Sequence, residues 1–382
     1  MIRPNRVEPP REMDFITALL LFLLSLLGLQ PQQPPKPTPE PPALGFSLGL
    51  DPDQTGTGIP NGIAALKAVK ATIHRDGFNW AWLGSGSTAE HPVPDALDAP
   101  LGGSGIAGID QLDRKYQALT GAGIRPLLVI GYAPAWASTR PRCAEPAYAA
   151  ANPATCNQKY HPAPEFLPQY REVVAALARR YPKTTFEGWN EPDHEALTNP
   201  LNATTPERLA EEQCTLYEAV KSVDPDRTVL SPSMSDYYAP GYIGRYLTAV
   251  GSRRCHDVFS VHVYTGAGAA AVDVGVDSTL KRIRDARAGR DGTPLWVTEI
   301  GYSTADGVHD DASQAADLDR ALGRLQAQAD VRATIVHTLR DEPASWLTEG
   351  KEAGYGLLRT DWSPKPAFCS LVAAAAGSYS GC

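Results

Sequence analysis

Short runs of β-branched and aromatic residues alternate with longer stretches of helical periodicity through residues 44–382. The strand-like runs are Gly45 to Gly49, Ala71 to Trp82, Arg125 to Tyr132, Thr184 to Asn190, Thr228 to Met234, Val258 to Tyr264, Leu295 to Ile300 and Ala333 to Leu339. Between them the helical pattern covers Ile109 to Ala122, Pro168 to Arg180, Pro206 to Val223, Pro240 to Gly251, Ser278 to Ala288 and Ala312 to Ala329. Strand runs that alternate with helices predict an α/β fold with a parallel sheet, and a count of eight predicts a (β/α)8 TIM barrel with enlarged loops at its catalytic face. An open doubly wound sheet uses the same alternation, but no Gly-x-Gly-x-x-Gly turn follows the first strand. The long excursions at Gly84 to Gly108 and Ser138 to Pro164 are expected to wall a cleft.

The pattern differs before residue 44. Phe15 to Leu29 is an uncharged apolar run behind Arg3, Arg6 and Arg11, and seven prolines crowd Pro31 to Pro42. This predicts an export signal or membrane anchor over residues 1–30, a stiff Pro-rich linker over 31–43, and the barrel domain over 44–382. A run of 15 residues is short for a spanning helix, yet no clear small-x-small cleavage site follows it. A possible membrane tether therefore falls on residues 15–29, in a protein that is either secreted or anchored at the cell surface.

Composition is that of an ordinary globular protein, with 43% apolar and 20% charged residues. A formal charge of -8 without clustered Lys and Arg argues against nucleic acid, and acidic polymers are poor candidates on the same ground. The even count of six cysteines suits an exported chain held by disulfides. Six cysteines allow 15 connectivities, and sequential pairing is expected: Cys143 with Cys156, Cys214 with Cys255, and Cys369 with Cys382. No Cys-x-x-Cys occurs, and no His-x-His or paired acidic ligands stand at matching strand tips, so neither metal nor cofactor is expected.

Two glutamates end separate strand runs: Glu191 in Phe186-Glu-Gly-Trp-Asn190-Glu191-Pro192, and Glu299 in Trp296-Val-Thr-Glu299-Ile-Gly-Tyr302. Their separation, 299 - 191 = 108 residues, is three βα repeats and assigns them to the fourth and seventh strands. Carboxyl ends of barrel strands carry the active site, and strands four and seven face each other across the mouth. Paired carboxylates in that setting point to acid/base work on a sugar.

The two segments resemble the signature segments of retaining glycoside hydrolases of the (β/α)8-barrel clan A, most like families 39 and 5. Arg75, the His262-Val-Tyr264 pair, Gly354-Tyr-Gly-Leu-Leu and Lys365-Pro-Ala resemble further clan features, so the likeness spans most of residues 44–382. The resemblance implies that Glu191 is the acid/base, that Glu299 is the nucleophile, and that Arg75 and Tyr264 point at Glu299. It also implies that Asn190 donates to a sugar hydroxyl and that the partner is a carbohydrate. Arg75 is alternatively a buried partner of Glu187, and the two roles are compatible. His262 reads as a hydrogen-bonded core histidine rather than a metal ligand and is a candidate supporting residue of the site, and Asn79 and Tyr302 are candidate substrate contacts.

Retention needs Glu299 ionised while Glu191 keeps its proton. Burial and the negative charge of Glu299 are expected to raise the pKa of Glu191. Among the tryptophans and tyrosines near strand ends (Trp80, Trp82, Tyr132, Trp136 and Trp346), Trp136 and Trp346 are the expected sugar platforms. The clan's aromatic residue at the end of strand eight is replaced here by His337-Thr-Leu339-Arg340-Asp341, which leaves the sugar open. A sugar-binding barrel without turnover and a transglycosylase with the same site are the alternatives.

Overall fold

The structure, a computed structural model, describes residues 42–50, 58–156, 160–198, 204–343 and 350–382. The barrel belongs to a compact unit of Pro41–Cys382. The export or anchor segment, the tether at 15–29 and most of the linker lie outside the described residues. Among the described residues no helix is long and apolar enough to cross a membrane.

Eight strands appear where the alternation predicts them: β1 Ala43–Ser47, β2 Ile73–Asn79, β3 Arg125–Gly131, β4 Thr185–Glu187, β5 Val229–Leu230, β6 Phe259–His262, β7 Leu295–Ile300 and β8 Val331–His337. Each is followed by a principal helix: α1 Gly58–Ala68, α2 Ala107–Gly121, α3 Leu167–Arg180, α4 Pro206–Val223, α5 Tyr242–Val250, α6 Ala269–Arg287, α7 Asp311–Gln326 and α8 Pro366–Ala374. All ladder pairs are parallel, β1 pairs with both β2 and β8, and the order runs β5-β4-β3-β2-β1-β8-β7-β6. The gap between β5 and β6 is narrowed by bridges from Leu230 to Val258 and from Met234 to Val261, giving a nearly closed (β/α)8 barrel.

Strand periodicity positions the site. Val258, Ser260, His262 and Tyr264 follow one another at every second residue, as do Ile73 and Arg75, and Ala333, Ile335 and His337. Successive residues of such a series share a face. At the amino ends the inward residues Ile73, Leu127, Leu230, Val258, Trp296, Ala333 and Ile335 form one apolar cluster. Burying each large aliphatic chain there contributes about 1.5–3 kcal/mol. Toward the carboxyl ends the same rows turn polar, and the chemistry sits on that apolar plug.

Three features departed from the periodic pattern. Helices α1 and α8 carry no strong helical signature, because Gly58, Pro60 and Gly62 interrupt the first and alanine dominates the second. Gly62 is there for space: a Cβ on it would stand 2.0 Å from Leu50 Cδ2. Helix α6 begins at Ala269 rather than Ser278, and the run predicted to extend β2 to Trp82 becomes a 3-10 turn over Trp80–Gly86.

All three expected disulfides form, with Cα–Cα separations of 5.2, 4.5 and 5.2 Å for Cys143–Cys156, Cys214–Cys255 and Cys369–Cys382. Cys214–Cys255 ties α4 to the segment entering β6 across 41 residues. In the chain-entropy account that loop is worth about 4 kcal/mol.

Candidate active site

Arg75 on β2 is the hub of the polar layer. Its Nε donates to Glu187 Oε2 at 2.5 Å, Nη1 to Glu299 Oε1 at 2.6 Å, and Nη2 to Asn190 Oδ1 at 2.7 Å. The two roles read from the sequence therefore coexist. Glu187 is fully buried, and its other oxygen accepts from Ser260 Oγ, which in turn meets Thr298 Oγ1 at 2.6 Å. Both oxygens of Glu299 are engaged, since Tyr264 donates its hydroxyl to Oε2 at 2.7 Å. Strict alternation along β7 would send Thr298 and Glu299 to opposite faces. The β6–β7 and β7–β8 registers both shift here, pairing His262 with Glu299, and this irregularity turns both side chains inward.

Glu191 is held differently. It has φ 50°, a left-handed conformation uncommon for a side chain of this type and sited at the turn into Pro192. Its N–H donates to Ser233 O at 3.0 Å, tying the end of β4 to the segment after β5. His262 Nδ1 stands 2.8 Å from Glu191 Oε1, and His194 Nδ1 stands 3.4 Å from Oε2. One carboxylate oxygen of Glu191, one of Glu299 and a ring nitrogen of His262 all lie within 4.8 Å of one another. Beneath this turn, His161 stacks on Trp189 at 3.5 Å and bonds Glu212 at 2.7 Å, while the Trp189 indole donates to Glu195 at 3.0 Å. Burial pushes the His161 imidazole down, but Glu212 and Glu195 prevail and raise it to about 9. His161 thus braces the segment that carries Glu191.

Burial alone would raise the Glu299 carboxyl. The facing imidazoles of His262 and His337 and the Arg75 guanidinium outweigh it and hold Glu299 below its ordinary value. Burial likewise pushes Glu191 up, yet hydrogen bonds from His194 and His262 win and hold it well below the usual carboxylate range. This reverses the raised value expected from the sequence: the negative neighbour is real, but the hydrogen bonds of two imidazoles outweigh it and the burial. Burial lowers His262, and the charges of Glu299 and Glu191 raise it on balance; the bond to Glu191 raises His194. The cluster therefore titrates as a unit, with protons shared between Glu191 and its histidines.

These groups open into a cleft of about 660 Å³ lined by Asn190, Glu191, His262, Tyr264, Glu299 and Tyr302 among others. Tyr302 is buried, with its hydroxyl 2.8 Å from Thr265 Oγ1. Trp136 does not join the cleft lining; it packs edge-on against Trp80 at 5.3 Å and Phe166 at 5.5 Å. Trp80 is fully buried and Asn79 also lies away from the cleft lining. Trp346 lies outside the described residues. The excursions at Gly84 to Gly108 and Ser138 to Pro164 supply no described residue to the cleft, whose walls come from the segments after β4 to β8.

Sequence reasoning missed His194 and the role of His337. The signal for His194 is its place three residues beyond Glu191 at the start of a helix, one turn away. His337 ends β8 where the clan's aromatic residue was expected, lies against Tyr355 at 5.1 Å, and has Nδ1 3.0 Å from Ser47 Oγ. Glu191, His262 and Glu299 have donor atoms close enough to hold a cation. However, both Glu299 oxygens already accept hydrogen bonds, and Arg75 puts a positive charge beside them, so the donor set suits a carboxylate kept ionised better than a metal ion.

Residues 161–348, just under half of the chain, match the family model described as Glycosyl hydrolase catalytic core. No curated protein sequence matches the chain. Among solved structures, a family 39 glycoside hydrolase from the gut symbiont Bacteroides cellulosilyticus WH2 is similar at 21% identity and TM-score 0.58, over 88% of this chain and 64% of that one. The chain thus spans less than two thirds of that protein's length. A monomeric beta-xylosidase from Caulobacter crescentus CB15 is similar at 21% identity and TM-score 0.61, covering 88% and 67%. A GH5_18 protein from Bifidobacterium longum subsp. longum ATCC 55813, in complex with Manb1-4GlcNAc, is similar at 16% identity and TM-score 0.64, covering 88% and 78%. Residues 161–348 thus match a glycosyl hydrolase catalytic core, and the eight parallel strands share the (β/α)8 barrel fold of solved proteins from glycoside hydrolase families 39 and 5.

Proposed function

We propose that the protein is a retaining O-glycosidase that cleaves an oligo- or polysaccharide by double displacement. The observation that carries this reading is the approach of Glu191 and Glu299 to within 4.8 Å inside one cleft. Retaining enzymes hold their two carboxyl groups about 5 to 5.5 Å apart, whereas inverting enzymes leave about 6.5–9.5 Å for a water. Glu299, kept ionised by Arg75 and oriented by Tyr264, attacks the anomeric carbon. The bond to the leaving oxygen breaks as Glu191 passes it a proton, leaving a glycosyl ester on Glu299. Esterification removes the negative charge of Glu299. Glu191 then takes a proton from water, and the hydroxide so formed attacks the anomeric carbon and frees Glu299.

The resting proton arrangement gives His262 and His194 a part in the first step. Glu191 shares its proton with them, and closing the cleft around a sugar removes the water that favours the separated ions, which moves the proton onto the carboxyl. Asn190 has its oxygen turned to Arg75, so its amide nitrogen is the group left to donate to a sugar hydroxyl.

The disulfides suit an oxidising compartment and agree with a secreted or cell-surface enzyme, with residues 1–30 as export or anchoring segment and 31–43 as spacer. Replacing Glu191 by Ala tests the acid/base role. Turnover of aryl glycosides with poor leaving groups should fall about 10²–10⁴-fold, good leaving groups should suffer less, and azide should restore rate by giving a glycosyl azide of retained configuration. Equal losses for all leaving groups and no effect of azide would remove Glu191 from this role.

A further inference from the structure

Two large aromatic side chains stand exposed on the wall beside the acid: Tyr237 is 64% and Tyr238 40% exposed. Exposed aromatics side by side at the edge of a cleft call for a ligand more than for a core. They continue a row that starts at Glu191. His194 lies 3.4 Å from the Glu191 carboxylate, its ring is 4.2 Å from that of Tyr238, and Tyr238 meets Tyr237 edge-on at 5.1 Å. Arg282 of α6 ends the row, with its guanidinium carbon 5.3 Å from the centre of the Tyr237 ring.

The loop bearing the tyrosines is preorganised. Asp193, two residues beyond Glu191, accepts from Ser235 N at 3.0 Å and Asp236 N at 2.7 Å. Asp236 in turn accepts from Gly241 N at 3.0 Å and Ile243 N at 2.9 Å, fastening the loop to the start of α5. The acid and the tyrosine wall are therefore parts of one hydrogen-bonded frame.

Charge distinguishes the far end of the row. Glu299 is faced by Arg75, Glu191 by His262 and His194, Asp306 by His309 at 2.8 Å, and Glu352 by His337 at 3.7 Å. Arg282 instead touches the Ser235 carbonyl at 3.3 Å and the Tyr237 ring, and pairs with no carboxylate of the described residues. A guanidinium with most of its donors unspent, beside a stacking face, is built to take a planar acid group.

Resting on the glycosidase reading above, we propose that Tyr238, Tyr237 and Arg282 form the leaving-group side of the substrate site and that it takes a sugar bearing a carboxylate, a hexuronic acid unit. The side follows from Glu191, because the acid protonates the departing oxygen and the departing sugar must lie against it. The uronate ring stacks on the tyrosines while its carboxylate pairs with Arg282. The overall charge of -8 acts over the whole surface and made acidic polymers poor candidates, but it does not cancel one Arg without a carboxylate partner at contact distance.

The test is calorimetric binding to the full chain carrying Glu299→Gln, using oligouronides of several linkages and their carboxyl-reduced, neutral counterparts. At least one oligouronide should bind about 10-fold or more tighter than its reduced form, a preference that falls with added salt. Arg282→Gln should collapse that ratio, Arg282→Lys should keep part of it, and Tyr237→Ala should weaken both forms alike. A ratio that survives Arg282→Gln, or oligouronides that bind no better than their reduced forms, would overturn the proposal. If the wild-type protein then hydrolyses a neutral member, the glycosidase reading stands without it. Absence of binding across the panel likewise overturns the uronate proposal, while hydrolysis of any other glycoside leaves the glycosidase reading standing.

Discussion

Replacing Glu299 by Gln is expected to lower turnover of any glycoside the wild-type protein hydrolyses by at least about 10⁴-fold, the scale on which loss of a nucleophile is felt. The amide has the shape of the carboxylate but no charge and little nucleophilicity. It also presents an NH2 where Tyr264 and Arg75 both aim donors, so one of those hydrogen bonds must turn into a donor–donor contact. Circular dichroism should report an unchanged fold, since the barrel core below Arg75 does not involve the side chain. Wild-type turnover by this variant would refute the assignment of Glu299.

Arg75→Met should be the most damaging substitution for stability. The guanidinium is buried against two carboxylates, and Glu187 is fully enclosed, so the variant leaves Glu187 without its cation and Glu299 with only the imidazoles of His262 and His337. Removing one partner from a buried ionic group costs roughly 3 to 5 kcal/mol. The deficit has a predictable pH dependence. Glu299 has a folded pKa below its unfolded value, so its ionisation stabilises the wild-type protein above the unfolded carboxyl pKa, and that contribution is lost as pH falls through the folded value. In the variant the stranded carboxyl protonates more readily, so wild type and variant should converge on acidification. Urea unfolding at neutral pH and near pH 4 reads this directly. Equal stabilities at neutral pH would mean that Arg75 does not compensate the two carboxylates.

Much of this was legible in the chain. The count of strand runs and the spacing of Glu191 and Glu299 depend on periodicities of two and 3.6, which local sequence carries, and every strand appeared where an apolar run stood. His262 and Tyr264 were readable because alternation along β6 places both inward. The disulfides followed the order of the cysteines. What local pattern could not carry was anything that depends on two distant segments meeting. The inward turn of both Thr298 and Glu299 comes from register shifts between neighbouring strands. The depressed Glu191 depends first on His194, close by in the chain, but also on His262 arriving from β6. Trp136 looked like a platform by its place after β3, but its ring is claimed by Trp80 and Phe166. The exposed pair Tyr237 and Tyr238 drew no notice because exposure is a property of the folded surface.

The central claim is that Glu299 and Glu191 work on one anomeric carbon in two displacements. Proton NMR of the first sugar released, recorded before the anomers equilibrate, tests it most directly. The account predicts that this product has the anomeric configuration of the substrate; a product of opposite configuration would contradict it, whatever the sugar.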